Sequence, residues 1–263
     1  MVFMLLFFNM EYKLSILLPT IDETDSLIKT IDIIFQENKK NIHEVIIIIS
    51  EKKTTSQSIE VIENLKNKFS QIKVLKQKRS MLGGAIRDGF EYCSGTHVVL
   101  MASDYETDPS EIKNFISLSL LNPLSIITGN RWIKGGEFKE YNMFKFIFNF
   151  FFQRMFSLLF KTNLTDLTFG YRLFPTNIIK KINWEETNHA FLFETIVKPL
   201  KLKINVIEIP SSWKKNNESS SNFRLHFYLD YFRIGFKTLV SKSETLLIKN
   251  EKNNSYNNNQ SSN

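Results

Sequence analysis

The sequence predicts an α/β protein built on an open sheet flanked by helices. From Lys13 onward, short apolar runs alternate with longer amphipathic segments. The run HEVIIIIS at 43–50 lacks the polar alternation of a half-exposed strand and reads as one covered on both faces. At 263 residues and 43% hydrophobic content, the chain can bury a large core.

Taken in order, KLSILLP (13–19) reads as a strand and SLIKTIDIIFQEN (26–38) as a helix. The strand at 43–50 leads to the helix SIEVIENLKNKF (58–69). Then come the strand IKVLKQ (72–77), the helix LGGAIRDGFEYCSG (82–95) and the strand THVVLMAS (96–103). Successive strand–helix alternations imply right-handed crossovers and a sheet whose ligands bind at the carboxyl ends of the strands. The unusual residues gather there: PTIDETD, SEKKTT, KRSMLGG and ASDYETDP each follow a strand.

Beyond this pattern, MFKFIFNFFFQRMFSLLF (143–160) is an amphipathic Phe-rich segment. Its polar Lys145, Asn149, Gln153 and Ser157 recur every fourth residue and form one narrow ridge. The apolar surface left over exceeds one core-facing stripe, so the helix reads either as lying partly in a membrane interface or as a Phe-rich core helix. A second amphipathic helix is expected over 223–249, with His226, Asp230, Arg233 and Lys237 on one face. The expected organisation is an N-terminal extension (1–12), a main domain (13–222), this C-terminal helix, and an Asn/Ser-rich disordered tail (250–263). The opening MVFMLLFF is too short to span a bilayer and reads as a leading strand extension or a weak anchor.

The net charge of +7 favours anionic partners. A nucleic acid is not among those expected, because the basic residues sit beside glycines and not along a stripe, and no helix-turn-helix or aromatic RNA-binding pattern occurs. Cys93 is the only cysteine, which excludes an intrachain disulfide and a multi-cysteine zinc site.

The acids Asp104, Glu106 and Asp108 on the exit from the fourth strand have two readings. Carboxylates two residues apart can direct oxygens at one hard cation, Mg²⁺ or Mn²⁺, leaving positions open for phosphates. The other is a solvated, helix-capping turn. Asp108 before Pro109, with Glu111 three residues on, fits an N-cap and capping box, so Asp104 and Glu106 remain as candidate ligands. Gly83 and Gly84 at a helix start suit either an anion on free N–H groups, with Arg87, Lys78 and Arg79 nearby, or tight helix–sheet packing. GNRWIKGG and DLTFGYR add Arg131, Lys134 and Arg172, a second basic group suited to a phosphorylated partner.

Together these segments resemble the glycosyltransferase family 2 enzymes of GT-A fold, most closely the polyprenyl- or dolichyl-phosphate sugar transferases. The resemblance runs from about Leu14 to Phe223. It is carried by SILLPTIDETDSL, LGGAIRDGF, VLMASDYETDP, GNRWIKGG, DLTFGYR and EIPSSWKKNNESSSNF in that order. It implies an open mixed sheet and transfer of a sugar from a nucleotide-diphosphate donor to an acceptor, a polyprenyl phosphate. It also implies a peripheral position on the cytoplasmic membrane face and a Mg²⁺ or Mn²⁺ cofactor. On the matching positions, Pro19, Thr20, Glu23, Ser50, Gly83, Gly84, Arg87 and Asp104 would bind the nucleotide sugar. Asp104 and Glu106 would hold the metal; Asp104, Arg131 and Arg172 would carry catalysis, the two arginines orienting an ionised acceptor. Glu194 would be the base if the acceptor were a hydroxyl, against its reading as a salt-bridged helix residue.

The chain departs from the family pattern at Ala102, where the family has the first aspartate of D-A-D-x-Q, and at Glu106, in place of the glutamine. It departs also near Ser50, where the family has a base-reading aspartate, and near Asn216 and Ser219, where it has an arginine and a glycine. These changes sustain an alternative, a nucleotide-sugar-binding pseudoenzyme or regulatory subunit with a degenerate metal site.

Overall fold

A computed structural model describes residues 11–139, 142–216 and 226–248, without the side chains of 226–228. Residues 1–10 of the N-terminal extension, the tail over 250–263 and Ser219 lie outside the described residues.

Strand β2 (Ile42–Ile49) is buried along most of its length and feeds both layers of the core. Val45, Ile47 and Ile49 pack on one face with Leu27, Ile31 and Ile34 of α1 (Asp25–Asn38), Ile62 and Leu65 of α2 (Ser56–Lys68), and Phe115 of α4 (Ile112–Leu121). Ile46 and Ile48 pack on the other with Ile86 and Phe90 of α3 (Met81–Tyr92) and Phe191 of α7 (Phe191–Lys201). Each buried aliphatic side chain contributes about 1.5–3 kcal/mol, but two equally apolar faces cannot fix the strand's register, since a one-residue slip would only exchange them. Glu44 fixes it. It lies opposite Ser15 of β1 (Leu14–Thr20), is fully buried, and accepts hydrogen bonds from the Ser15 hydroxyl (2.6 Å), the Ser94 N–H and Lys73 Nζ (2.7 Å).

β3 (Ile72–Lys76), β2, β1 and β4 (His97–Leu100) are parallel neighbours in that order. The sheet continues through β7 (Arg172–Pro175), β5 (Ile126–Asn130) and β8 (Val206–Pro210). β7 is antiparallel to both of its neighbours, while β8 is parallel to β5. The carboxyl ends of β1, β2, β4, β5 and β8 therefore share one edge. β6 (Glu137–Lys139) and β9 (Ser212–Lys214) pair beside that edge as a separate parallel ribbon.

The Phe-rich segment forms α5 (Met143–Leu159), and its polar ridge faces inward. Asn149, Gln153 and Ser157 are buried, while Phe144, Phe151 and Leu158, at every second turn of the helix, are 83%, 66% and 79% exposed. Phe152 and Phe156 flank the ridge and pack on Phe193, Ile196 and Val197 of α7 and Ile234 of α8 (His226–Val240). On α8 the predicted polar row is tied down: Lys237 pairs with Glu185, Arg233 with Glu186, and Asp230 accepts from Asn188. Gly235 lets the two helices meet, since a Cβ there would lie 2.3 Å from the Phe156 ring. No helix among the described residues is long and apolar enough to cross a membrane. A four-residue helix, α6 (Thr176–Ile179), follows β7.

Candidate active site

The turn after β4 is built from its own backbone and sealed from both sides. Asp104 Oδ1 accepts the Glu106 N–H at 3.0 Å, and Tyr105 between them takes φ +61°, an uncommon value for a residue with a Cβ. Asp108 caps the next 3₁₀ turn, accepting the Ser110 N–H at 2.9 Å with Pro109 at its first position. The capping box is incomplete: Glu111 instead accepts from the Ser211 hydroxyl and the Ser212 N–H.

On one side the turn touches the end of β1, where the Ser103 hydroxyl donates to the Pro19 carbonyl at 2.6 Å. The β1 and β2 ends are joined in turn, the Thr54 hydroxyl donating to Thr20 O while accepting the Ser50 N–H. On the other side the turn meets β9. Thr107 bridges Trp213, the Lys214 N–H donates to Glu106 O, and the Trp213 indole donates to Glu106 Oε2 at 2.9 Å. Asn216 donates to the Asp104 carbonyl.

Asp104 lies within the electrostatic reach of two further carboxylates, Glu106 and Glu23. Burial, reinforced by Glu106 beside it and by Glu23, raises the Asp104 carboxyl to about 7. Burial also raises Glu23, against the Ile21 and Asp22 N–H groups it accepts at 2.7 and 3.1 Å. Glu106 Oε1 is buried with no hydrogen-bond partner. An orphaned carboxylate oxygen on Glu106, two residues from the Asp104 carboxylate, fits a hard divalent cation that takes its remaining ligands from phosphate and water. No group of three His, Cys, Asp or Glu side chains placed for a metal occurs among the described residues.

The basic half lies past the ends of β5 and β8. Arg131 makes a bidentate pair with the fully buried Asp166 (Nε–Oδ2 2.8 Å, Nη2–Oδ1 2.9 Å), its guanidinium lying over Phe138 at 4.8 Å and Phe169 at 4.4 Å. Asp166 is held by Glu208, which accepts the Thr165 and Asp166 N–H groups. Gln153 of α5 completes this cluster from behind.

Several expected ligands have other work. Arg172 is fully buried; its guanidinium donates to Thr128 Oγ1 (3.0 Å), Leu167 O (2.9 Å), Leu192 O and Thr195 Oγ1, which leaves no surface for a ligand. Its expected part in catalysis gives way to a structural one, because β7 pairs on both edges and draws the side chain into the core. Burial, with Arg131 adding to it, lowers the Arg172 guanidinium to about 9. Gly83 and Gly84 accommodate packing: a Cβ on Gly83 would lie 2.6 Å from Phe191 Cβ, and the Gly84 N–H donates to Thr187 O. Arg87 donates to Glu185 O in the same region. Glu194 accepts the Glu185 and Glu186 N–H groups and pairs with buried Lys198 at 2.6 Å, the contacts of a salt-bridged helix residue. Ser103 and Trp213 carry no sequence signal that singles them out, whereas Asp166 opens the DLTFGYR motif.

An open mixed sheet of this strand order, with carboxylates on the exit from β4 and an arginine–aspartate pair beyond β5, defines the GT-A class of transferase fold. The chain belongs to glycosyl transferase family 2, whose sequence model matches residues 15–182. It is 23% identical over 243 residues to a dolichyl-phosphate beta-glucosyltransferase of Trichomonas vaginalis, covering 86% of this chain and 71% of that protein. It is 20% identical to a dolichol-phosphate mannosyltransferase of Pyrococcus furiosus, covering 88% of this chain and 65% of that protein. Its fold matches glucosyl-3-phosphoglycerate synthase from Mycobacterium tuberculosis, solved with Mn²⁺, UDP and glucosyl-3-phosphoglycerate (TM-score 0.65, 14% identity, 91% of this chain and 82% of that one). The same enzyme has been solved with Mg²⁺ and UDP (TM-score 0.64, 14% identity, 91% and 81%).

Proposed function

We propose that this protein transfers a sugar from a nucleotide-diphosphate donor to a polyprenyl phosphate at a membrane surface, the cytoplasmic face being the expected one. The donor would lie across the β1, β2 and β4 ends, bordered by Pro19, Thr20, Glu23 and Ser50. Asp104 and Glu106 would hold a Mg²⁺ or Mn²⁺ ion, whose charge offsets that developing on the departing nucleoside diphosphate. Arg131, fixed in plane by Asp166 and two rings, would orient the acceptor phosphate, which is ionised at neutral pH and attacks without a strong base. The related proteins support the donor, the ion and the lipid acceptor: solved neighbours were crystallised with UDP and Mn²⁺ or Mg²⁺, and curated relatives are named for dolichyl or dolichol phosphate.

The observation that carries the lipid acceptor is the inverted α5. Its polar ridge points inward, with Gln153 bonded to Asp166, while Phe144 and Phe151 face outward, an arrangement suited to lying in a lipid interface. A soluble acceptor would not call for it. The test is a screen of nucleotide sugars by thermal shift with and without Mn²⁺, then transfer to a short-chain polyprenyl phosphate. Turnover that survives Asp104→Ala would sink the metal assignment; transfer to soluble phosphates alone would sink the lipid acceptor. Ala102, a methyl group where the family has an aspartate, favours the pseudoenzyme alternative, and donor binding without turnover would establish it.

A further inference from the structure

Gln153 is a polar residue that α5 does not need for packing. It is flanked on the helix face by Phe152 and Phe156 as well as by Asn149 and Ser157, and an apolar side chain there would bury without the desolvation cost of an amide. Yet it is only 2% exposed. Its Oε1 accepts the Leu167 N–H at 2.7 Å, and its Nε2 faces Thr168 Oγ1 (2.7 Å), Asn149 Oδ1 (3.1 Å) and Asp166 Oδ1 (3.2 Å). Two amide hydrogens serve three acceptors, so the group is fully engaged.

The Asp166 carboxylate is where these bonds matter. Oδ2 accepts the Arg131 backbone N–H and Nε; Oδ1 accepts Arg131 Nη2, the Phe169 N–H and Gln153. Phe138 and Phe169 lie against the guanidinium, the Arg131 and Phe169 N–H groups hold one carboxylate oxygen each, and Gln153 adds the bond that ties this pair to α5. Thr168 closes the ring, accepting from Gln153 and, at 3.4 Å, from Arg131 Nη2.

We infer that Gln153 is a positioning residue for the acceptor side of the reaction: it holds Asp166, and through it Arg131, in the orientation that receives an acceptor phosphate. It also joins that orientation to the helix whose other face is exposed phenylalanine. The inference rests on the acceptor role proposed for Arg131 above.

The experiment uses the full chain with Gln153→Met, which keeps the side chain's length and removes its hydrogen bonds, and Thr168→Val, which removes one bond of the ring. Donor affinity is read by titration with nucleotide sugar, and acceptor KM and kcat by initial rates with a short-chain polyprenyl phosphate in detergent. The expected result is an acceptor kcat/KM lowered about tenfold in Gln153→Met, the scale of a lost buried bond to a charged group. Thr168→Val should show a smaller fall, with donor affinity unchanged in both. Donor and acceptor constants that move by one factor, or acceptor constants that do not move, overturn the inference. Thr168→Val decides alone if Gln153→Met does not fold. A wild-type protein that binds no nucleotide sugar overturns the underlying reading and the inference with it, and is seen before any variant is made.

Discussion

Trp213 donates its indole N–H to Glu106 at 2.9 Å, joining the acidic turn to a residue 107 positions further along the chain. The bond holds one oxygen of Glu106 and leaves the other buried without a partner, so the carboxylate is oriented before any ligand arrives. Trp213→Phe keeps the ring packing and removes the bond. Metal-dependent binding of a nucleotide sugar should weaken by roughly tenfold, since a hydrogen bond to a charged group contributes about 1.5–3 kcal/mol. Calorimetric titration with and without Mn²⁺ measures this, and equal weakening in both conditions would count against an orienting role for Trp213.

Glu44 gives the fold an acid limit. Burial alone would raise its carboxyl, but hydrogen bonds from Lys73, Ser15 and Ser94 outweigh it and hold Glu44 down at about 2, from an ordinary 4.5. A depressed carboxyl stabilises the folded state fully above its unfolded value and loses that contribution as pH falls through the folded one. The loss should run from about pH 4.5 down to about pH 2. Discounted for the half-exposed Lys73, it amounts to roughly 2–3 kcal/mol. Glu44→Gln should lower Tm at pH 7 and flatten the fall of Tm across that acid window.

Arg172→Lys separates structure from catalysis. An ammonium cannot span the four acceptors that the guanidinium reaches, so buried oxygens lose partners at about 1–3 kcal/mol each. Tm should fall by about 2–4 °C per kcal/mol in a domain of this size, with the acceptor KM of the folded protein unchanged. A raised acceptor KM at an unaltered Tm would restore Arg172 to the ligand site.

Phe144→Ser with Phe151→Ser alters only the outward face of α5. Neither side chain belongs to the buried core, so Tm should move little, surface substitutions being worth within about 0.5 kcal/mol each. Co-sedimentation with vesicles containing anionic lipid should drop several-fold. Undiminished vesicle binding would remove α5 from the membrane contact.

The parts of this architecture visible in the sequence are those written locally. The isoleucine run at 43–50, the strand–helix alternation and the Asp108–Pro109 cap each follow from neighbouring residues. The ridge on α5 was legible as a set of residues sharing a face, but not its direction. Periodicity says which side chains point together; only Asp166 and Leu167, brought up from beyond the helix, determine that Gln153 points in. Arg172 shows the same limit. Beside Gly170 it looks like a phosphate ligand, and its burial follows from the pairing of β7 with β4 and β5, strands distant in the chain. Gly83 and Gly84 are alike in a helix-start pattern, but a Cβ on Gly83 would meet the distant Thr187–Phe191 segment, whereas one on Gly84 would meet Arg79 nearby in the chain.

The fastening of the acidic turn by Ser211, Ser212 and Trp213 also sets an order on biosynthesis. While the chain is being made, β1 to β4 can pair as they emerge, because each of them finds a partner strand within this first half of the sheet. The turn after β4 emerges with them but must wait for β9, on the far side of the whole second half of the sheet. A nascent chain that has displayed Asp104 and Glu106 therefore still has no finished turn, and the turn is completed only once Trp213, 107 residues beyond Glu106, has emerged.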